Sequence, residues 1–200
     1  MAIIASALGL VLITALQPWV DPRWLYLDPQ TVGELSGDCC HIYDGAISTL
    51  GIMLWASTAA VSLFAALLLF ASHRTRAAFF GLHGFMLSAL LALDDAYLLH
   101  EVAGPKIGIP QIAMIGMIAA AIVTYLGLQR RYLLGSYRWV LGLSLSCFGL
   151  SVGIDQVFHN IGSIWVVAED GPKFIGIVAW FLFHLMTHVQ LVLIRRVSHS

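Results

Sequence analysis

Long apolar segments separated by short polar connections make up most of this chain. A transmembrane helix needs about 20 predominantly apolar residues, and six segments come close to or exceed that length: residues 2–19, 44–71, 77–99, 110–128, 138–157 and 172–194. The connections are too short to form a second folded unit. The pattern therefore predicts an all-α fold, a polytopic transmembrane bundle of six helices, with residues 1–200 forming a single transmembrane domain.

Composition and charge agree with a membrane protein. Hydrophobic residues make up 60% of the 200 residues and charged residues only 10%, which is more apolar surface than one small soluble core can bury. The formal net charge is −1, and the sequence contains no glycine-rich phosphate loop. We therefore expect membrane lipid around the protein and no nucleic acid as a partner.

The charged residues are divided between opposite ends of the apolar segments. All 11 acidic residues fall at one set of ends, whereas the other ends carry arginines such as Arg74, Arg130 and Arg195. Cytoplasmic loops of membrane proteins are enriched in Lys and Arg. We therefore expect both termini to be cytoplasmic in a multi-pass protein of the bacterial inner (plasma) membrane.

Four of the segments carry polar residues at helical spacing, so that each predicted helix has one polar face. The four faces are Asp44, Ser48, Gly51, Trp55 and Ser62; His83, Leu87, Asp94 and Glu101; Ser144, Ser151, Asp155 and His159; and Lys173, Trp180, His184 and His188. An ionisable group in the hydrocarbon region costs about 2.5 kcal/mol or more, so it normally faces the bundle interior. We predict that the four faces turn toward one internal cavity.

Depth along the segments separates the ionisable groups into two layers. The outer layer contains Asp44, Asp94, Asp95, His100, Glu101, Asp155, His159, Glu169, Asp170 and Lys173. One interpretation is a solvated rim, in which Asp170 caps a helix and Glu169 forms an i,i+4 pair with Lys173. The other is that carboxylates such as Asp94 and Asp155 find partners inside the bundle through a cation, a shared proton or a lysine.

The inner layer consists of three histidines, His83, His184 and His188. His184 and His188 have the i,i+4 spacing that lets two imidazoles bind one metal ion, and His83 lies at a matching depth. Three histidines with an open fourth position suit zinc and an activated water, whereas two facing histidines suit haem iron. The histidines can also donate hydrogen bonds between helices, so these alternatives remain open.

Three motifs resemble those of a family of uncharacterised bacterial six-helix membrane proteins. They are LDDAYLLHEVAGPKIGIPQ from Leu93, SVGIDQVF from Ser151 and EDGPKFIGIVAW from Glu169, and YDGAISTLGIMLW from Tyr43 fits the second helix of that family. The resemblance covers nearly the whole chain and implies the six-helix topology. It marks as motif residues Asp94, Asp95, His100, Glu101, Asp155, Glu169 and Lys173, without implying an activity for them.

A second set of spacings is similar to that of the alkaline ceramidase-type membrane hydrolases. His83 is followed eleven residues later by Asp94, Ile154-Asp155 precedes Phe158, and the last segment contains His184 and His188. This resemblance implies that His83, His184 and His188 are zinc ligands and that Asp94 orients a zinc-bound water. That family has seven helices, and it has a serine where this chain has Phe79.

Three functions are compatible with these residues. The first is a metal-dependent hydrolase of a lipid amide or ester, with Asp94 or Asp155 as the catalytic proton acceptor. The second is a cation or proton transport or relay protein, in which the outer carboxylates gather ions and the histidines pass them inward. The third is an accessory subunit of a larger membrane complex that holds haem or a pigment, which would require membrane-protein partners.

Overall fold

A computed structural model describes residues 2–37, 41–157 and 162–197. Helix accounts for 85% of this part of the chain, which contains no strand, so the all-α prediction is confirmed. The helices are α1 (Ala2–Leu16), α2 (Arg23–Tyr26), α3 (Pro29–Ser36), α4 (Ala46–Ala71), α5 (Thr75–Tyr97), α6 (Gly104–Lys106), α7 (Gln111–Leu133), α8 (Arg138–Val157) and α9 (Ser163–Val197). A π-helical turn, Leu99–Ala103, precedes α6.

Four helices in the described residues are long and apolar enough to cross a membrane: α4, α5, α7 and the part of α9 from Ser163 to Leu193. The helix α1 is apolar but shorter, with 15 residues. Helices of this length and composition bury their apolar surface most favourably in a bilayer. The chain is therefore a helical protein with several candidate membrane spans.

The last helix differs from the sequence prediction at its start. It begins at Ser163 instead of residue 172, and Pro172 lies inside it. Asp170 is therefore not a helix N-cap. A proline removes one backbone donor, and membrane helices tolerate it where neighbouring groups satisfy the freed carbonyl. The apolar residues from Ile164 onward continue the helical pattern on the other side of this proline.

Contacts within the chain divide it into two compact units, Met1–Gly51 with Gly142–Trp180 and Ile52–Leu141 with Phe181–Ser200. In the first unit, the Tyr26 hydroxyl lies 2.7 Å from Thr14 Oγ1 and donates to the Val11 carbonyl at 3.2 Å. The Ser144 hydroxyl donates to the Gly176 carbonyl at 2.8 Å. These bonds join α1 to α2 and α8 to α9.

A short amphipathic helix and a glycine turn complete the first unit. Asp28 caps α3 by accepting from the N–H groups of Gln30 and Thr31, each at 2.9 Å, which satisfies donors that the first turn would otherwise leave open. Gly45 has a φ of +63°, and a Cβ there would lie 2.7 Å from Pro29 Cδ. Only glycine fits this turn into α4.

The second unit is held by close approach of α4 and α5. A Cβ on Gly81 would lie 2.8 Å from the Ser62 carbonyl oxygen and 3.0 Å from Ala66 Cβ, so the two backbones meet where α5 has no side chain. Small residues allow this packing between membrane helices. At another point of the unit, Arg74 donates a hydrogen bond to the Leu191 carbonyl of α9.

We expect Gly81→Ala to destabilise the protein by about 1–3 kcal/mol, because the added methyl forces the α4 and α5 backbones apart. The measurement is thermal or denaturant unfolding of the purified protein in detergent. The matched control is Gly127→Ala on α7, where an added Cβ meets nothing within 4 Å. The control should be neutral or stabilising, since alanine favours helix over glycine by about 1 kcal/mol. Equal stability of the two variants would contradict the packing described here.

Candidate functional site

A buried carboxylate lies near the end of α5. The Asp94 residue is only 5% exposed, and both of its oxygens are held by one residue. The backbone N–H of His100 donates to Asp94 Oδ1 at 3.1 Å, and the His100 ring donates from Nδ1 to Asp94 Oδ2 at 2.7 Å. Charge-assisted hydrogen bonds of this kind offset much of the cost of burying a carboxylate.

The His100 ring connects this carboxylate to a second, more exposed one. Its Nε2 lies 3.4 Å from Glu101 Oε1, and the Glu101 side chain is about half exposed. The two carboxylates raise the pKa of His100 to about 10, chiefly through the hydrogen bond with Asp94 and then through that with Glu101. The ring is therefore an imidazolium at neutral pH, between two carboxylates.

The backbone between α5 and α6 makes this contact possible. Leu98 ends α5 in the left-handed region with φ of +48°, and the π-helical turn follows, in which the Leu98 carbonyl accepts from Ala103 N–H at 3.0 Å. A left-handed leucine costs about 1–2 kcal/mol. The turn closes against α7 at Gly104, where a Cβ would lie 2.9 Å from Met114 Cγ.

A neighbouring carboxylate is held by a tryptophan. The indole N–H of Trp55 on α4 donates to Asp95 Oδ2 at 3.0 Å. Trp55 is buried, and Asp95 is partly buried. Both residues were predicted to lie on or near the polar faces, and the structure brings them together within the second unit.

The three inner histidines each bond to a neutral partner on another helix. Gln129 donates to His83 Nδ1 at 2.6 Å, the Tyr125 hydroxyl lies 2.9 Å from His184 Nε2, and the Ser62 hydroxyl lies 3.2 Å from His188 Nε2. His184 and His188 are almost completely buried. Hydrogen bonding between helices was one of the three interpretations of these histidines, and this geometry favours it.

Aromatic rings enclose two of these histidines. The Phe80 ring is parallel to that of His184, with centroids 6.0 Å apart, and its centroid lies 5.1 Å from that of His188. His184 also lies against the backbone of α5, since a Cβ on Gly84 would be 3.2 Å from its Nε2. The two imidazoles thus pack against the Phe80 ring, and His184 also packs against the α5 backbone.

The residues expected to bind zinc do not assemble as a metal centre. Across residues 2–37, 41–157 and 162–197, no group of three or more His, Cys, Asp or Glu side chains could hold a metal ion. Each of the three histidines has one ring nitrogen bonded to a neutral partner, which is Gln129, Tyr125 or Ser62.

Five predicted residues belong to the first unit: Asp44, Asp155, Glu169, Asp170 and Lys173. Asp44 Oδ2 accepts from the His41 N–H at 2.7 Å near the start of α4, and the other four are partly buried. Tyr26 is deeply buried there, and burial, together with a smaller effect of Asp170, raises its pKa. His159 lies outside the described residues.

Two residues of the inner layer were missing from the sequence analysis. Tyr125 and Gln129 lie four residues apart on α7, and both are buried. Their i,i+4 spacing places them on one face of an otherwise apolar helix, which was the available signal. Gln129 was not recognised because it directly precedes Arg130, so in the sequence it looks like one of the polar residues at the end of the helix.

A family model described as a domain of unknown function, DUF8692, matches residues 2–187. The chain belongs to the DUF8692 family. No curated protein and no solved structure matches it. Membership of DUF8692 agrees with the expected resemblance to an uncharacterised family and assigns no chemistry to the residues described above.

The Asp94 and His100 pair predicts a pH dependence. Folding raises the His100 pKa from its ordinary 6.5 to about 10, so protonated His100 stabilises the folded state fully below pH 6.5. This contribution declines as the pH rises and is lost above about 10. Asp94→Asn removes the main cause of the shift, and we expect the His100 pKa to fall toward 6.5.

Solution NMR of the labelled imidazoles in micelles measures this titration, with His100→Gln identifying the signal. Glu34→Gln is the control, because Glu34 is exposed on α3 and the substitution removes the same charge. A His100 ring that titrates near 6.5 in the unaltered protein would show that the contact with Asp94 is not formed.

Proposed function

We propose that this protein is a membrane-embedded proton relay. The observation that supports this function best is the chain of groups from Glu101 through His100 to Asp94, which links a half-exposed carboxylate to a buried one near the end of α5. Chains of Asp, Glu and His within membrane segments serve as proton relays in pumps and transporters. Burying a carboxylate costs folding free energy even when both of its oxygens accept hydrogen bonds. A role in proton transfer accounts for the presence of one at this position.

The geometry supports a balanced transfer step. The imidazolium of His100 first gives its Nδ1 proton to Asp94 Oδ2, which leaves a neutral ring with its remaining proton on Nε2. Rotation of the ring then turns Nδ1 toward Glu101, which has taken a proton from solvent and gives it to that nitrogen. The ring ends as an imidazolium again, and the net change is one proton moved from Glu101 to Asp94.

The inner histidines provide a second set of titratable groups in the same unit. Imidazole is the side chain whose ordinary pKa lies closest to neutral pH, and His83, His184 and His188 each contact a group that can form a hydrogen bond with a ring nitrogen. In the proposed relay, this inner layer receives protons that have entered through Asp94. The structure gives no comparable support to the metal-dependent hydrolase or to the haem-holding subunit.

The proposal includes the finer topology, six membrane helices with both termini cytoplasmic in a bacterial inner membrane. In this arrangement α1 and α8 cross the bilayer together with the four longer spans. The arginine-containing connections from Arg74 to Arg76 and from Arg130 to Arg138 then lie on the cytoplasmic side.

Fusions at the C-terminus test this orientation. A fluorescent protein that folds only in the cytoplasm should be bright, and a phosphatase that is active only outside the inner membrane should be inactive. Fusions placed after Lys106 should give the opposite pair of results. The same result at both positions would contradict the topology.

Reconstituted liposomes test the relay itself. We expect an imposed potassium diffusion potential to drive protons into liposomes that contain the protein, as reported by a trapped pH-sensitive dye. Asp94→Asn should reduce the flux to the level of protein-free liposomes, because an amide cannot carry the transferred proton.

Glu34→Gln serves as the matched control, since it makes the same carboxylate-to-amide change at an exposed position and should leave the flux unchanged. Circular dichroism and gel filtration establish that both variants are folded. A flux in folded Asp94→Asn equal to that of the unaltered protein would refute the proposal.

A further inference from the structure

His188 differs from the other two inner histidines in one respect. Its residue is only 2% exposed, its Nε2 contacts the Ser62 hydroxyl, and its Nδ1 has no hydrogen-bond partner among the described residues. An unmade hydrogen bond on a buried polar atom is costly, and native proteins contain few of them. This ring therefore presents one unsatisfied nitrogen inside the second unit.

The preceding residue has the same deficit. Thr187 is 6% exposed, and its hydroxyl oxygen is buried with no partner among the described residues. A helical threonine normally satisfies its hydroxyl on the carbonyl four residues earlier, as Thr58 does on Leu54 at 2.8 Å. Two successive residues of α9, Thr187 and His188, thus each have one buried polar atom without a hydrogen bond among the described residues. The threonine does not use the carbonyl four residues earlier on its own helix.

The surroundings restrict what can satisfy these atoms. His188 contacts a hydroxyl, a phenyl ring and a second imidazole, from Ser62, Phe80 and His184. None of these three groups carries a permanent charge. They therefore favour a neutral species beside His188. A threonine hydroxyl and an imidazole nitrogen can each donate or accept a hydrogen bond, so a neutral species that does both satisfies either one.

We propose that His188 Nδ1 and the Thr187 hydroxyl are polar anchors for buried water, and that this water gives His188 access to exchangeable protons within the membrane. Buried waters typically make about three hydrogen bonds to groups that are otherwise unsatisfied. This inference rests on the proposed relay, for which it identifies His188 as the inner histidine that exchanges protons. His184 and His83 hold their neighbours in place through Tyr125 and Gln129.

Hydrogen–deuterium exchange at the imidazole carbon between the two ring nitrogens tests the water site without measuring transport. The protein in lipid nanodiscs is incubated in D2O over days, digested and analysed by mass spectrometry, which gives one exchange rate for each histidine. We expect His188 to exchange faster than His184, whose Nε2 is covered by the Tyr125 hydroxyl. Exchange at His188 that is slower than, or equal to, that at His184 would overturn the inference.

A pair of threonine variants identifies the anchor. Thr187→Val removes one hydroxyl of nearly the same volume, and we expect it to slow exchange at His188 by about fivefold, the equivalent of one net hydrogen bond of about 1 kcal/mol. Thr58→Val is the matched control, because its hydroxyl is already bonded within α4, and it should leave the His188 rate unchanged. Equal rates in the two variants would exclude Thr187 as an anchor and contradict the proposed site.

Failure of this inference and failure of the relay give different results. If Asp94→Asn abolishes proton flux while His188 does not exchange, protons cross the membrane without using His188. If His188 exchanges as expected while the liposomes show no flux, the water site exists in a protein that is not a relay. The two measurements share no variant and no readout.

Discussion

The structure depends on the rule that a polar group in lipid must find its hydrogen bonds inside the protein. Asp94 illustrates the most demanding case, since a carboxylate is the costliest common group to bury. It is satisfied by two donors from one residue, His100, and this requires the chain to turn back within three residues of the end of α5 at Tyr97. The left-handed Leu98 and the π-helical turn that follows are the backbone conformations that allow this return.

Close packing of helices is the second condition for the site. The Ser62 carbonyl lies against Gly81, and His184 lies against Gly84, so two glycines three residues apart on α5 bring α4 and α9 to the same face. Ser62 then reaches His188. The inner hydrogen bonds are thus a consequence of where α5 has no side chains, because a longer side chain at either glycine would separate the partners.

Helical spacing in the sequence indicated which faces of α4, α5 and α9 carry the bonded polar residues of the second unit. Trp55 and Ser62 were assigned to the polar face of their helix. Trp55 bonds to Asp95 of the predicted outer layer, and Ser62 bonds to His188 of the inner layer. The spacing could not predict the bond between Asp94 and His100, because residues six apart are not neighbours on an α-helix. The contact needs the left-handed Leu98, which ends α5, and the π-helical turn after it. Tyr125 was missed because a single hydroxyl in an apolar helix is indistinguishable from a packing residue until its partner is known. The start of α9 was misplaced because Asp, Gly and Pro in succession usually begin a helix, whereas this helix continues through them.

The two layers differ in charge, and this difference has a physical consequence. In the outer layer, the cluster of Asp94, His100 and Glu101 holds an imidazolium between two carboxylates, so this cluster carries one net negative charge and is neutralised by one additional proton. The inner layer pairs imidazoles with an amide and two hydroxyls, and a proton added there creates a charge in apolar surroundings. Proton entry is therefore favoured at the outer layer and opposed at the inner one. A relay built from these residues requires a polar species beside the inner histidines to lower that barrier, and the Nδ1 of His188 is a buried nitrogen to which the described residues offer no hydrogen bond.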